Sequence, residues 1–356
     1  MNGVDFILNG TGTGEVAATL LQHGMDHRVL KPWIGANGAT YINQLKANGE
    51  ITAVKVNSVG LLRKEEWVLL DTAVVKAANL RLRAVKDLIN NGLTYNIPNA
   101  IGTTVFQSQA MSDLNDAGVS MTGLEETTNE KLQFDLRTIP LPIIHKDLTI
   151  PIRLLAASRN SGAGALDTLE AEIAGRKVAE MAEKILIGVE DLSSIGGNAI
   201  YGYTTFPQRQ TTTISDWEDK DTSGKTMRNE LINMIKIANG QRCWGPFQVY
   251  ITPGIDLQLE RDFSDASDKT IRSRLLDISA ISGITALDFL PEKTVLLVPM
   301  GAETVRMLMG LMPQTLQWES KGGMLAHLKV MAIMVPQLRA DFYGHCGIVH
   351  ASYSGS

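Results

Sequence analysis

One stretch of the chain, residues 132–155 (LQFDLRTIPLPIIHKDLTIPIRLL), limits the possible folds more than any other. Apolar residues alternate along much of it, which predicts β-strand, and a strand of this length would span roughly 80 Å at about 3.3 Å per residue. Pro140, Pro142 and Pro151 lack the backbone N–H that a central strand donates, so the stretch is predicted to lie at a sheet edge. A long edge strand either pairs with another chain or stays exposed, which favours an assembly protein.

The residues before this stretch predict that it is the returning arm of a hairpin. Val119 and Met121 alternate with polar residues on the outgoing side, and the polar sequence EETTNE (125–130) turns the chain. Residues 132–136 then alternate again on the return. We expect a projecting hairpin over residues 115–145.

Two stretches have the apolar periodicity of amphipathic helices. The first covers residues 61–89 and ends before Asn91 and Gly92, a common helix stop. The second covers residues 166–188 and spans about 30–33 Å at 1.5 Å per residue. Its packing face is predicted to be formed by Leu166, Leu169, Ile173, Met181 and Ile185, with Ala174, Val178, Ala182 and Leu186 next to them. Charged residues are predicted to cover the rest of its surface: Glu170, Glu172, Arg176, Lys177, Glu180, Glu183 and Lys184.

The second half of the chain predicts a separate α/β region. Its periodicity predicts a helix that ends at Gly240, followed by two short helices. Apolar runs rich in β-branched residues predict three strands, over 247–253, 283–290 and 294–300. Long strands around a turn at Gly322 and Gly323 are predicted to end the chain, and the mixed period of residues 324–335 favours strand over helix.

Residues 1–58 have no sustained period and recurrent glycine, which predicts an extended arm with one short helix near residues 16–23. The sequence NGTGTGE (9–15) is similar to a phosphate-binding glycine loop. No buried strand precedes it and no Gly-Lys-Ser/Thr follows it, so a plain loop is the favoured interpretation.

Composition bounds the class of protein. The 356 residues suffice for roughly two domains, and 44% hydrophobic with 20% charged residues are typical of a folded globular protein. The net charge of −5 argues against nucleic-acid binding driven by overall charge, although a locally basic face stays open. No apolar run predicts a membrane span, and residues 1–15 lack the pattern of a secretory signal. Cys243 and Cys346 are expected to be unpaired, buried thiols in a reducing compartment.

We find no strong pattern for catalysis, a cofactor or a metal. His345 and Cys346 could form a nucleophilic pair, but adjacent residues on a strand point to opposite faces. Five acidic residues could cage a hard cation, although a solvated helix face or a pore rim is favoured because the spacing is not that of a calcium loop: Asp256, Glu260, Asp262, Asp265 and Asp268. The basic residues Lys146, Arg153 and Arg159 suggest ion pairs between subunits.

The order of these elements resembles that of encapsulins and tailed-phage major capsid proteins, a superfamily with the Hong Kong 97-type fold. LRKEEWVLLDTAVVKAANLRL (62–82) resembles the N-terminal helix of encapsulins, and IPLPIIHKDLTIPIRLL (139–155) resembles the base of their extended loop. Residues 166–188, which end in Ile-Leu-Ile-Gly, resemble their spine helix. The resemblance covers roughly residues 60–350.

The resemblance implies an α+β capsid fold with an N-terminal arm, an extended β-hairpin loop, a peripheral domain and an axial α/β domain. The implied boundaries are 1–58 for the arm, 59–114 for the N-terminal helix and connecting strands, 115–145 for the extended loop, 146–225 with 325–341 for the peripheral domain, and 226–324 with 342–356 for the axial domain. Intersubunit contacts are implied for residues of the extended loop and its base: Glu125, Glu126, Glu130, Phe134, Arg137, His145, Lys146 and Arg153.

The implied function is that of a non-enzymatic subunit that self-assembles into pentamers and hexamers of an icosahedral shell. The shell would enclose double-stranded phage DNA, contact it non-specifically, and assemble in the bacterial cytoplasm with possible scaffold, portal and decoration proteins. No membrane or cofactor is expected. Residues 1–60, which precede LLRKEEW, favour a phage-type arm over an encapsulin, whose shell encloses a cargo enzyme. An enzyme that uses the glycine loop at 10–14 and a tail or connector protein are the alternatives from other classes.

Overall fold

The computed structural model describes residues 32–34, 40–45, 51–55, 64–112, 121, 133–151, 153, 169–190, 192, 195, 197–264, 269–321 and 325–353. Its helices are α1 (Lys64–Arg81), α2 (Ala84–Asn90), α3 (Leu169–Ile187), α4 (Gly224–Gly240), α5 (Pro253–Leu259) and α6 (Ile271–Leu276). Its strands are β1 (Pro32–Ile34), β2 (Thr40–Leu45), β3 (Ile51–Lys55), β4 (Thr94–Asn96), β5 (Val105–Met111), β6 (Phe134–Pro140), β7 (Ile144–Pro151), β8 (Gln210–Thr213), β9 (Phe247–Ile251), β10 (Ile281–Ala286), β11 (Thr294–Pro299), β12 (Val305–Ser320), β13 (Leu325–Leu338) and β14 (Val349–Ser352). No helix in the described part of the chain is both long enough and apolar enough to cross a membrane.

The described strands form four sheets. A five-stranded sheet has the order β10-β9-β11-β14-β8, in which β9 is parallel to β10 and antiparallel to β11. A four-stranded sheet has the order β4-β12-β13-β7, so β7 lies at its edge. The strands β5 and β6 form a two-stranded ribbon, and β1, β2 and β3 form a small antiparallel sheet.

The chain divides into two compact units. One contains residues 1–67, 149–166 and 317–328, and its described elements include the β1-β2-β3 sheet. The other contains residues 68–148, 167–316 and 329–356, and it includes the five-stranded sheet and the ribbon.

A hydrophobic core of the second unit lies on the five-stranded sheet. All residues of β9 and β11 are buried, as expected for strands covered on both faces. The helix α4 covers the sheet with Met227, Leu231 and Met234, which recur at helical spacing and are fully buried. Ser223 caps this helix by accepting a hydrogen bond from the Thr226 N–H at 3.2 Å.

The helix α3 packs through small residues. Its buried face includes Ala171, Ala174, Val178 and Ala182. A Cβ atom on Gly175 would lie 2.8 Å from the carbonyl oxygen of Val74 in α1, so glycine allows the two helices to cross closely.

Backbone contacts hold the C-terminal end of α3. Gly188 has a φ of +94°, a left-handed conformation that favours glycine. The backbone N–H groups of Tyr203 and Thr204 donate to the carbonyls of Leu186 and Ile187 at 2.9 and 2.8 Å. A Cβ atom on Gly202 would lie 2.3 Å from the Gly188 nitrogen, so these two backbones touch with no room for a side chain.

The helix predicted over residues 61–89 is confirmed in its described part, with a break between α1 and α2 that the pattern did not predict. The helices and strands predicted over residues 225–300 are confirmed as well. Residues 324–335 lie mainly in β13, as the strand interpretation expected. The arm differs from its prediction, because strands β1, β2 and β3 lie within residues 1–58. The predicted helix at 16–23, the glycine loop at 9–15 and the turn at Gly322 and Gly323 lie outside the described residues.

Candidate functional site

The ribbon of β5 and β6 is the most unusual surface of the second unit. Its antiparallel register pairs Val105 with Pro140 and Met111 with Phe134. The pairing continues to Ser112, whose N–H donates to the Gln133 carbonyl at 2.9 Å. Residues 113–132 between the strands lie outside the described residues, except for Met121, and they include the predicted contact residues Glu125, Glu126 and Glu130.

This register corrects the predicted hairpin. At its base, the partner of the returning strand is Val105–Met111 and not the stretch around Val119, so the hairpin begins near residue 105 instead of 115. Sequence alternation identified the returning arm because Phe134 and Leu136 lie two residues apart. It did not identify β5 as the partner strand, because the centre of β5 is the polar sequence Gln-Ser-Gln.

The ribbon exposes apolar side chains. Phe134 and Leu136 are 60% and 56% exposed, although both are large and hydrophobic. Exposure falls toward the base, where Pro140 is buried. An exposed apolar strand with unpaired edges is a template for another chain.

The prediction of one continuous strand over residues 132–155 is wrong. The chain leaves β6 at Pro140, runs irregularly through residues 141–143, and enters β7 at Ile144 in a different sheet. Each described segment is much shorter than the predicted path. The expected edge position is confirmed for β7, which ends at Pro151.

Hydrogen bonds anchor the base of the ribbon to its own chain. The Arg137 guanidinium donates to the carbonyls of Ala340 and Asp341 at 2.7 and 3.2 Å, and it pairs with Asp135 at 3.2 Å. The Thr138 hydroxyl donates to Asn198 Oδ1 at 2.9 Å. Arg137, predicted to contact another subunit, therefore binds its own subunit.

A cavity of about 400 Å³ lies behind the ribbon base. Its walls come from β5, β6, the segment 198–208 and the end of β13. Gln337 lines it, and the Oε1 atom of this side chain is buried without a hydrogen-bond partner. Hydrogen bonds of Arg137 and Thr138 and the buried Pro140 therefore hold the base beside this cavity.

The other predicted contact residues at the loop base are exposed. His145 and Lys146 lie on the exposed part of β7, and Arg153 is also exposed. The neighbouring Asp147 pairs with Lys329 at 3.4 Å. Arg159 lies outside the described residues.

The predicted packing face of α3 needs correction. Ile185 is buried with 4% exposure, but Leu169, Ile173 and Met181 are 59%, 41% and 36% exposed. The core face is instead formed by the small residues that pack near α1. The three larger side chains leave an apolar surface on the outside of the helix.

Glu183 is a buried residue that the sequence pattern placed at the surface. It is 2% exposed, and its two carboxylate oxygens accept hydrogen bonds from the backbone N–H groups of Ala84 and Val85 at 2.6 and 3.3 Å. Burial raises the pKa of Glu183 to about 7, against the opposing effect of these hydrogen bonds. Only the tertiary fold could reveal this, because Ala84 lies 99 positions away in the sequence.

A second missed group, His327, lies in the first unit. Its Nε2 and Nδ1 atoms lie 2.6 Å from the Ser320 hydroxyl and 3.2 Å from the Thr149 hydroxyl, and its ring stacks on Trp318 at 5.2 Å. A serine beside a histidine nitrogen is the start of a nucleophilic dyad. Here a threonine occupies the place of the carboxylate that would stabilise the imidazolium, so the contacts orient the ring.

His345 and Cys346 do not form the nucleophilic pair that their adjacency in the sequence suggested. His345 Nδ1 lies 2.6 Å from Asp341 Oδ2, and burial raises the pKa of the Cys346 thiol to about 11. Such a thiol stays protonated near neutral pH, and the thiolate is the nucleophile.

The acidic cluster holds a cationic side chain in its described part. Arg272 donates to Glu260 at 2.6 Å and also to Asp256, while Asp265 and Asp268 lie outside the described residues. No group of three or more metal-binding side chains occurs in the described part of the chain.

Comparisons with known proteins identify a family and several similar structures. A family model described as a family of unknown function (DUF6260) matches residues 56–351. No curated protein matches the chain. Among solved structures, a virus-like particle protein from Pyrococcus furiosus is similar with a TM-score of 0.59 and 15% identity, over 81% of this chain and 100% of the other.

Two further structures are similar at low identity. The capsid of Myoviridae phage XM1 has a TM-score of 0.53 and 11% identity, over 75% of this chain and 92% of that one. The capsid of a native GTA particle has a TM-score of 0.54 and 13% identity, over 77% and 92%. At these identities the likeness shows the fold, which is the Hong Kong 97-type capsid fold expected from the order of elements.

Proposed function

The chain belongs to the DUF6260 family and has the Hong Kong 97-type fold, and from this premise we propose that it is the major capsid protein of a tailed phage. Many copies would assemble into pentamers and hexamers of a closed icosahedral shell around double-stranded DNA. Its role would be structural and not enzymatic.

The ribbon is the observation that carries this proposal. Phe134 and Leu136 expose apolar surface on a strand pair that has no cover within the described part of its own chain. Exposed apolar surface of this kind costs about 25 cal/mol per Å² relative to burial, so contact with a neighbouring subunit would be favourable. On a fold known from shells, the natural cover is another copy.

A second surface supports assembly. Ile173 and Met181 on α3 expose apolar side chains that would gain from burial against a neighbour. We propose that α3 is the spine of a peripheral domain (146–225 with 325–341) and that residues 226–324 with 342–356 form the axial domain around the capsomer axes. The hairpin, now starting near residue 105, would be the extended loop.

We propose further partners on the same basis. His145, Lys146 and Arg153 are exposed and could contact a neighbouring subunit, and residues 1–58 would form an arm along it. DNA would be contacted non-specifically by basic residues on the inner face, which a net charge of −5 permits. Assembly would take place in the bacterial cytoplasm, with scaffold, portal and decoration proteins as possible partners.

The alternative within this fold is an encapsulin-type shell around a cargo enzyme. The similarity to the Pyrococcus furiosus particle supports this alternative. The family match begins at residue 56, and the predicted arm over residues 1–58 lies almost entirely before it, which favours the phage capsid.

Negative-stain electron microscopy of the purified full-length chain, with light scattering for particle mass, tests the proposal. We expect closed, uniform shells, alone or after co-expression with the proteins encoded beside it. DNA-filled shells would support the capsid, and shells that enclose a co-purified enzyme would support the encapsulin alternative. A chain that remains monomeric under both conditions would overturn both.

A further inference from the structure

A second acidic residue, Asp87, lies near Glu183. Asp87 is part of α2, the helix whose first N–H groups donate to the Glu183 carboxylate. Asp87 Oδ2 accepts a hydrogen bond from the Thr285 hydroxyl at 3.4 Å. Thr285 in turn accepts from Gln248 Nε2 at 2.8 Å, and Gln248 Oε1 accepts from the Ser282 hydroxyl at 3.0 Å. This chain of hydrogen bonds ties α2 to strands β9 and β10 of the five-stranded sheet.

Two tyrosines complete the cluster. Tyr203 and Tyr250 are fully buried, and their rings stack at 6.0 Å. Neither hydroxyl makes a well-formed hydrogen bond, although that of Tyr250 is directed at Asp87. Burial and the charges of Glu183 and Asp87 hold the pKa of Tyr203 well above its usual range, so both tyrosines are neutral at physiological pH.

The cations on the packed elements are engaged elsewhere. The Arg83 guanidinium donates to the Ala286 carbonyl at 2.9 Å and lies 3.8 Å from Asp288. Lys184, next to Glu183 on α3, pairs with Glu190 at 3.1 Å. Lys86 is exposed and acts on Asp87 only through a weak lowering of its pKa. The carboxylate of Glu183 therefore has backbone donors and acidic or neutral neighbours.

We propose that Glu183 and Asp87 form a proton-dependent joint between α3, α2 and the five-stranded sheet: the pair holds one proton, on Glu183, below neutral pH, and release of that proton weakens the subunit. The proton is assigned to Glu183 because that carboxyl is almost fully buried. Asp87 is more exposed: burial raises its pKa as well, but the hydrogen bond from Thr285 opposes that rise. The joint is a property of the subunit and does not depend on shell assembly.

The direction of the effect follows from proton binding. Burial, with the Asp87 charge as a smaller contribution, raises the pKa of Glu183 from 4.5 to about 7. Between these values the folded chain binds a proton that the unfolded chain has released. Glu183 therefore contributes its full stabilisation below the pKa of the unfolded chain and loses it as the pH rises through the pKa of the folded chain. Between the two values the equilibrium constant of unfolding changes by about tenfold per pH unit.

Urea unfolding of the full-length chain between about pH 5 and about pH 8.5 tests the joint, with Glu183→Gln against wild type. Glutamine keeps an acceptor for the Ala84 N–H but does not titrate. We expect this variant to lose the roughly tenfold-per-unit dependence that wild type shows up to neutral pH. Glu170→Gln, an exposed change on the same helix, should keep it.

A second readout keeps the test independent of folding yield. Infrared difference spectra of folded wild type across neutral pH should show the loss of a protonated carboxyl band. Asp87→Asn should move that loss to lower pH, because it removes a negative charge that raises the pKa of Glu183. Equal pH dependence in wild type and Glu183→Gln, or a carboxyl band that is already absent at about pH 6, would overturn the proposal.

Discussion

Strands β9 and β6 are both rich in apolar or aromatic residues, yet one is covered and the other is not. Every residue of β9 is buried under helices of the same unit, whereas the first three residues of β6 are exposed. Both strands carry large apolar side chains, but β6 also carries Asp135 and Arg137, whereas β9 has no charged residue. Helices of the same unit cover β9, and we propose that another copy covers the exposed part of the ribbon.

The sharpest test of this contrast uses two isoleucines of the same helix, α3. Ile185→Asp should destabilise the subunit by more than about 3 kcal/mol, because it buries an unpaired charge. Ile173→Asp should cost less than about 1 kcal/mol in subunit stability, since Ile173 is largely exposed, but it should impair assembly. Urea unfolding and light scattering measure the two effects. Similar unfolding midpoints for both variants would contradict the assigned core face.

The next largest effect is expected in the core on the five-stranded sheet. Leu231→Ala removes a fully buried side chain of α4 and should cost about 2–5 kcal/mol. The adjacent Ile232 is 40% exposed, so Ile232→Ala is the matched control and should cost clearly less. Equal losses in thermal or urea unfolding would mean that the helix is rotated relative to this description.

The smallest effect on folding, and the largest on assembly, is expected in the ribbon. The double change Phe134→Ser and Leu136→Ser should leave the unfolding free energy of the subunit within about 0.5 kcal/mol of wild type. Shell yield in electron micrographs should fall strongly. Gln107→Ser, at an exposed polar position of β5, serves as the control. Normal shells from the double variant would break the proposed link between exposed apolar surface and assembly.

Local patterns predicted the elements well but not the sides on which they are covered. The periodicity of α3 located the helix, because Leu169, Ile173 and Ile185 recur at helical spacing. Small residues such as Ala174 and Ala182 form its core face, since they let α1 approach closely. A sequence pattern that ranks residues by hydrophobicity favours the larger side chains, and of these Leu169 and Ile173 are exposed whereas Ile185 is buried.

Two further features were not predicted, because the residues that interact are distant from each other in the sequence. Glu183 is a charged residue of the kind that usually lies on the solvated face of a helix, and hydrogen bonds from the backbone N–H groups of Ala84 and Val85 make its burial tolerable. The ribbon partner of β6 is a strand with a polar centre more than twenty positions earlier in the chain, at Val105–Met111. Pairing between strands is set by the whole fold, so alternation within one strand could not identify it.

The contact between Gly188 and Gly202 has a consequence for how this family can change over time. Any side chain at position 202 would collide with backbone on two sides, at Gly188 and at the Ile185 carbonyl, and no rotamer change can relieve a clash with backbone. Sequences descended from a common ancestor should therefore keep glycine at 202 even where most of the surrounding core has been exchanged. Position 188 should vary only where the chain after the spine helix is rerouted. This pair of glycines would then serve as an alignment landmark among relatives too divergent for the rest of the sequence to be matched.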